Sequence, residues 1–225
     1  MAFFFEKVNQ FLFFYHAIIN LCSFAAKEIG VGVLNGAGFA LLAGTLAAFW
    51  FENAALGAVL GGAMVFTFYK AQGREIGKSI YDSKSLAAAR DVLGSGKLLL
   101  PADIIAGKKI SPSTKTTVVA AARILAGQMG LDIGPATIAA FKRKIASAKS
   151  VLWNGPMGVF EVEKFAAGTR AVAAAIAAAP ATSVIGGGDS IAAAAQAGVL
   201  ERFSYVSTGG GAMLEFLAGE QLPGI

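Results

Sequence analysis

The chain has 225 residues, of which 56% are hydrophobic and only 15% charged, against roughly 25% charged in an ordinary soluble protein. Its single cysteine, Cys22, excludes an internal disulfide and any multi-cysteine metal site. The formal charge of +5 comes from dispersed lysines and arginines, an arrangement that argues against a nucleic-acid partner.

The charge deficit is local. Residues 1–69 hold five charged side chains (Glu6, Lys7, Lys27, Glu28 and Glu52), and residues 70–225 hold the other 28. The sequence therefore predicts a hydrophobic segment over 1–54 and a globular domain over 55–225.

Within the first segment, residues 3–27 carry one polar stripe on an apolar background. Asn9, His16, Asn20, Ser23 and Lys27 are spaced by 7, 4, 3 and 4, which gathers them on one face of a helix. Such an amphipathic helix can lie in a membrane interface, or cross a membrane with its stripe against a partner. His16 is the only histidine. Its place in the stripe favours a hydrogen-bonded member of that stripe over a ligand to a haem or pigment metal. Cys22 reads as a small buried hydrophobe.

Residues 29–51 run for 23 positions without a charge. As a helix they would extend about 34 Å, enough for a hydrocarbon core of about 30 Å. Gly32, Gly36, Ala40, Gly44 and Ala48 form a ridge of small residues every fourth position, and Phe49, Trp50 and Phe51 resemble an interfacial anchor. The sequence thus predicts a transmembrane helix over 29–51. The alternatives are a buried hairpin of soluble strands, or a secretory signal; the signal is disfavoured by the absence of a basic n-region and by the length of the run.

From residue 55 onward, short apolar runs alternate with helical ones. Strands are expected at 56–60, 97–100, 151–153, 182–185 and 204–206, and helices near 63–72, 83–93, 135–148, 162–178 and 190–197. Pro135 suits a first helical turn, and Gly73 and Gly94 suit helix ends. Lys142, Arg143 and Lys144 fall mid-helix, as a solvated face or a contact for anionic lipid or an acidic partner. The alternation predicts an α/β fold with a doubly wound, mostly parallel sheet, whose ligands bind beyond the carboxyl ends of the strands.

Three glycine clusters stand at those ends: Asn154-Gly155-Pro156-Met157-Gly158-Val159-Phe160-Glu161, Gly186-Gly187-Gly188-Asp189-Ser190 and Ser207-Thr208-Gly209-Gly210-Gly211-Ala212. Glycine lets backbone N–H groups approach a phosphate, and a following helix adds favourable partial charge. Asp189 can cap its helix or reach a phosphate-bound Mg²⁺. One such cluster is equally a plain strand-to-helix turn; three in one sheet point to a phosphate-bearing ligand.

The motifs VLWNGPMGVFE, IGGGDS and VSTGGGAMLEFLAGEQLPG, in that order, resemble phosphoglycerate kinase. So do GGAMVFTFYKAQGREIGKS from Gly61 and MGLDIGP from Met129, and together the match covers about 170 residues. The resemblance is to the C-terminal, nucleotide-binding half of that family, an incomplete Rossmann-like domain with MgATP or MgADP as cofactor, here expected to bind weakly or not at all. It implies that Gly61 and Gly62 line an adenine pocket. Asn154, Pro156, Gly158, Val159 and Glu161 would contact base and ribose, and Gly186, Gly187, Gly188, Asp189 and Ser190 would face the phosphates, with Asp189 on the metal. Gly209 and Gly210 would take the catalytic place beside the transferring phosphoryl group.

The departures carry equal weight. Nothing here corresponds to the family's 3-phosphoglycerate site. The family's GGAK–DK lysines, which contact phosphate, should precede Gly61, and the hydrophobic segment stands in their place. The first strand of this half is also missing. The leading expectation is a non-catalytic accessory subunit of a membrane complex, inactive alone, with residues 3–51 against other subunits and lipid. An organelle inner membrane, plastid thylakoid or mitochondrial, is the expected location, with the domain on the stromal, matrix or cytosolic side. The alternative is a nucleotide-binding phosphotransferase whose other half comes from another chain. A third reading makes the apolar segment soluble core, or a fusion artefact, on a kinase fragment.

Overall fold

Most of the expected apolar runs become strands of one sheet. The structure, a computed structural model, describes residues 46–50, 57–94, 98–121, 123–209 and 212–213. In chain order the elements are β1 (Leu46–Trp50), β2 (Gly57–Leu60), α1 (Val65–Ala71), β3 (Glu75–Ile76), α2 (Leu86–Gly94) and β4 (Leu98–Leu99). There follow β5 (Asp103–Gly107), β6 (Thr116–Ala120), β7 (Arg123–Ile124), β8 (Met129–Ile133), α3 (Pro135–Ala146) and β9 (Ser150–Asn154). The last are α4 (Ala167–Ala178), β10 (Thr182–Gly186), α5 (Gly188–Gln196) and β11 (Tyr205–Ser207).

The main sheet has the order β11-β10-β9-β1-β2-β4. β9, β10 and β11 run parallel, as do β2 and β4. Parallel neighbours need crossovers, and the helices supply them: α4 between β9 and β10, α5 between β10 and β11, α1 and α2 between β2 and β4. β1 is the exception. It lies antiparallel between β2 and β9, near the middle of the sheet.

That strand corrects the expectation of one continuous transmembrane helix over 29–51. Residues 46–50 are extended and hydrogen-bonded to strands on both sides, so a helix cannot run to Phe51, and Ala48 does not belong to a helical ridge. The physical reason is that an unbroken apolar run has no period to distinguish a buried strand from a helix. The sheet thereby draws a strand from ahead of the boundary expected after residue 54. Among the described residues no helix is long and apolar enough to cross a membrane. The expectations for residues 3–27 and 29–45, His16 and Cys22 included, lie outside the described residues.

Between β4 and α3 the sequence predicts no strand, yet β6, β5 and β8 form a second, antiparallel sheet, and β3 pairs with β7. Two apolar clusters hold the layers together. Phe66, Phe68, Tyr69, Ile104 and Ile124 gather around α1. Phe141, Ile145, Trp153, Val172, Ile176, Ile185 and Phe203 gather where α3, α4 and α5 meet the main sheet. Trp153, fully buried, stacks on Phe203 with ring centroids 6.0 Å apart, and side chains of this size contribute about 1.5–3 kcal/mol each on burial. Gly73 follows α1 with φ +73°, the left-handed conformation expected after a helix end, whereas Gly94 is the last residue of α2. The helix expected over 162–178 is divided: a 3-10 turn over Glu163–Phe165 precedes α4.

Candidate functional site

Strand register decides which turns can meet. Asn154 pairs with Gly186, and Gly186 with Ser207, so β9, β10 and β11 end level with one another. Leu46 pairs with both Asn154 and Leu60, which brings the end of β2 to the same edge. The turns after Leu60, Asn154, Gly186 and Ser207 therefore stand side by side on one carboxyl edge.

Specific contacts tie these turns together. The Gly62 N–H donates to the Met157 carbonyl at 2.8 Å, and a Cβ on Gly61 would lie 2.5 Å from Met157 Sδ. A side chain there would displace the Met157 thioether, so the turn at Gly61-Gly62 lies close against the turn Asn154–Glu161. Gly187 has φ +85°, and a Cβ on it would meet Asn154 Oδ1 at 2.6 Å. The Gly155 N–H donates to Ser190 Oγ, a side chain fully buried in the first turn of α5. Gly186 packs against Met213, which would lie 2.3 Å from a Cβ there.

The expected contact residues thus separate by position. Gly61, Gly62, Asn154, Pro156, Gly158, Val159, Gly186, Gly187, Gly188, Asp189, Ser190 and Gly209 are all on this edge or in the turns that leave it. Gly188, Asp189 and Gly209 are exposed, and a side chain at Gly188 would meet open space. Ser190 is turned inward, where it braces Gly155. Glu161 is exposed at the far end of its turn. Gly210 lies outside the described residues.

The edge fits an anion. Asn154 is 4% exposed, and its Nδ2 is buried without a hydrogen-bond partner in the protein. A buried donor left unmet costs about 1–3 kcal/mol, so its place beside the glycine turns suits a ligand with acceptor oxygens. Asp189 sits in the first turn of α5. Among the described residues no three His, Cys, Asp or Glu side chains gather as a metal cage. A divalent cation there would combine Asp189 with phosphate oxygens, the usual manner for Mg²⁺.

The sequence reading left out what holds the central turn from behind. Thr169 Oγ1, in the first turn of α4, accepts the N–H groups of Met157 at 3.0 Å and Gly158 at 3.3 Å. The Leu131 carbonyl accepts the Val159 N–H at 2.9 Å. Asp132, 4% exposed on β8, accepts the Gly168 N–H through Oδ2 and the Ile133 N–H through Oδ1, both at 2.8 Å. Burial pushes its carboxyl up to about 7, against the two hydrogen bonds and Arg170, which draw it down. The available signal was an acidic residue inside the apolar strand MGLDI.

The fold and this edge define an α/β domain with glycine turns, one of them opening a helix, gathered at the carboxyl edge of its main sheet. Residues 53–220 match the phosphoglycerate kinase family. The chain is 50% identical over 175 residues to the phosphoglycerate kinase of Chlorobium luteolum, and 51% identical to that of Chlorobaculum tepidum over the same length. Each alignment takes in 74% of this chain and 44% of the relative. Among solved structures, phosphoglycerate kinase from Coxiella burnetii superposes with a TM-score of 0.70 at 41% identity, covering 72% of this chain and 44% of that one. The Pyrococcus horikoshii enzyme gives 0.63 at 32% identity, over 73% and 43%. The chain belongs to the phosphoglycerate kinase family, and it spans less than half the length of the curated relatives it matches.

Proposed function

We propose that this chain is the nucleotide-side half of a phosphoglycerate kinase, which takes MgADP or MgATP on the carboxyl edge of its main sheet and does not turn over by itself. The alignment of four glycine-bearing turns on one edge, with the unmet Asn154 donor among them, carries this reading. Gly61, Gly62 and the turn Asn154–Glu161 would hold base and ribose. Gly187, Gly188 and Asp189 would face the phosphates, and Mg²⁺, when bound, would neutralise part of their charge.

Phosphoryl transfer rests on placing both substrates in line with charge neutralised. Residues 53–220 supply one substrate side, without the family's phosphate lysines. Each charge-assisted contact of that kind contributes about 1.5–3 kcal/mol, so two missing ones weaken binding by roughly 10² to 10⁴. Millimolar nucleotide affinity is the expected result. The 3-phosphoglycerate side would come from another polypeptide segment.

The apolar residues 1–45 would carry the domain to a bilayer or to other subunits, in an organelle membrane on the sequence reading. With β1 in the sheet, the uncharged run ahead of it, residues 29–45, is 17 long, at the lower limit of the roughly 17–25 residues of a membrane span.

Calorimetric titration of the full chain with MgADP and MgATP, beside a coupled kinase assay, tests the proposal. Weak binding without turnover is expected. Turnover should come up when the N-terminal half of a family member is added. No heat at saturating nucleotide would sink the nucleotide reading, and turnover by the chain alone would sink its dependence on a second half.

A further inference from the structure

We propose that Asp132 is a positioning residue for the turn Asn154–Glu161, and that ionising it loosens that turn. The proposal rests on the nucleotide reading of the turn and deepens it by naming what fixes the turn in place.

Two routes connect Asp132 to the turn. The first runs through helix α4, whose N-cap residue, Ala166, offers no side-chain cap. Asp132 supplies the missing acceptor, taking the Gly168 N–H at 2.8 Å. The positive end of the helix makes a carboxylate the favoured acceptor. That bond fixes the first turn of α4, and Thr169, the next residue, accepts the Met157 and Gly158 N–H groups. The second route is direct packing. A Cβ on Gly158 would lie 2.5 Å from Asp132 Oδ1, and one on Gly168 would lie 2.3 Å from it. The carboxylate is thus wedged between the turn and the helix, with no room on either side.

The wedge responds to protons because burial outweighs the hydrogen bonds that favour the ion. Burial favours the neutral acid, and the two N–H bonds favour the carboxylate, which brings the titration to about 7. Few other charges are placed to override this. Arg170 on α4 draws the value down, but it is paired with Glu163 of the 3-10 turn at 2.6 Å. Lys164 is turned to the Thr114 carbonyl, and Glu161 sits in the moving turn itself. On ionisation the carboxyl carries a charge in a space closed by two glycines, from which water is largely excluded. Opening the turn readmits water to that charge, so the ion favours the looser arrangement and the neutral acid the closed one.

Hydrogen exchange and nucleotide titration on the full chain test this. From about pH 6 to about pH 8, exchange of the Met157, Gly158 and Gly168 amides is divided by that of the β5 amides Ile104 and Ile105 at the same pH. The ratio should rise several-fold in the wild type and stay level in D132N. Over the same interval MgADP affinity should weaken roughly tenfold in the wild type and stay level in D132N. A wild-type ratio that does not move with pH, or a MgADP profile that D132N leaves intact, overturns the proposal. If MgADP binds at no pH, the nucleotide reading fails while the exchange ratio still decides the role of Asp132. Should D132N fail to fold, the wild-type ratio decides it, since that measurement needs no variant.

Discussion

Helices α3 and α4 begin in the same way, and the small differences between them separate a structural cap from a responsive one. Neither has a capping side chain of its own: Gly134 precedes α3 and Ala166 precedes α4. Each borrows a carboxylate from the antiparallel sheet. Asp103 on β5 accepts the Ala136 N–H at 3.0 Å, the Thr137 N–H at 2.8 Å and the Thr137 hydroxyl at 2.6 Å. Asp132 on the neighbouring strand β8 accepts two donors, of which only the Gly168 N–H belongs to α4 and the other to Ile133 next to it. Asp103 is half-buried and has three donors from the helix it caps; Asp132 is buried, with one. Charge held at a helix N-terminus is stabilising where water and donors surround it. It becomes costly, and therefore adjustable, where they are withdrawn.

The largest effect separating the two should be the pH dependence of stability. The folded pKa of Asp132 is raised, so above about pH 4 the folded chain keeps a proton that the unfolded chain has released. Stability from this group therefore falls as pH rises from about 4 to about 7, and is level above that. About three units at 1.36 kcal/mol each sets an upper scale near 4 kcal/mol, and roughly 2–4 is expected. Urea midpoints of wild type minus D132N across that window isolate the slope. An equal slope in both proteins would remove the carboxyl from its buried place.

Next in size is Asp103→Ala, which strips the Ala136 and Thr137 N–H groups of their cap and leaves the Thr137 hydroxyl only the backbone carbonyl of residue 103, at 3.0 Å. About 2–3 kcal/mol should be lost, with MgADP affinity little changed. A large loss of affinity would show that the two caps are coupled after all.

The glycines beside the caps sharpen the contrast. Gly158→Ala puts a Cβ 2.5 Å from Asp132 Oδ1 and 2.7 Å from the Leu131 carbonyl, which is backbone and cannot swing aside. About 1–3 kcal/mol is the expected cost. Gly134→Ala first meets the Asp103 carboxylate, at 2.3 Å, and pushing that side chain aside gives up the α3 cap. It should therefore cost about as much as Asp103→Ala, and a denaturation midpoint that barely moves would show that the cap tolerates the displacement.

Smallest is Arg170→Gln. The Arg170–Glu163 pair is solvent-exposed, with side chains 43% and 82% accessible, so its loss should cost under about 1 kcal/mol. Because Arg170 draws the Asp132 pKa down, the same change should move the pH window upward, visible as a shifted midpoint of the exchange ratio.

The main sheet was legible wherever an apolar run ended in glycine. LGAVL, VLW, TSVI and SYV announce β2, β9, β10 and β11, and the turns after them are the candidate site. The antiparallel sheet was not legible. In TTVVA the burial pattern does not alternate cleanly, and β3 and β7 have two residues each, too few to carry a period. β1 lay inside an apolar run that reads equally well as helix, and nothing local encodes its direction. The inward turn of Ser190 and the contacts of Asp132 were not legible for another reason. Which way Ser190 turns depends on the register of β9 with β10, and the partners of Asp132 lie 26 and 36 residues farther along the chain. The motif MGLDIGP marks the segment without revealing what it touches.

The reversed strand β1 has a consequence for the order of folding. Its pairing with β2 is local, joining Phe49 to Gly57. Its pairing with β9 joins Leu46 to Asn154, across about a hundred residues. A hairpin can close in microseconds, whereas the distant ladder must wait on the loop-closure entropy of everything between. The two parallel blocks, β2-β4 and β9-β10-β11, share no ladder except through this strand. They should form as separate nuclei, with the docking of the hairpin onto β9 as the late step that brings the glycine turns into line.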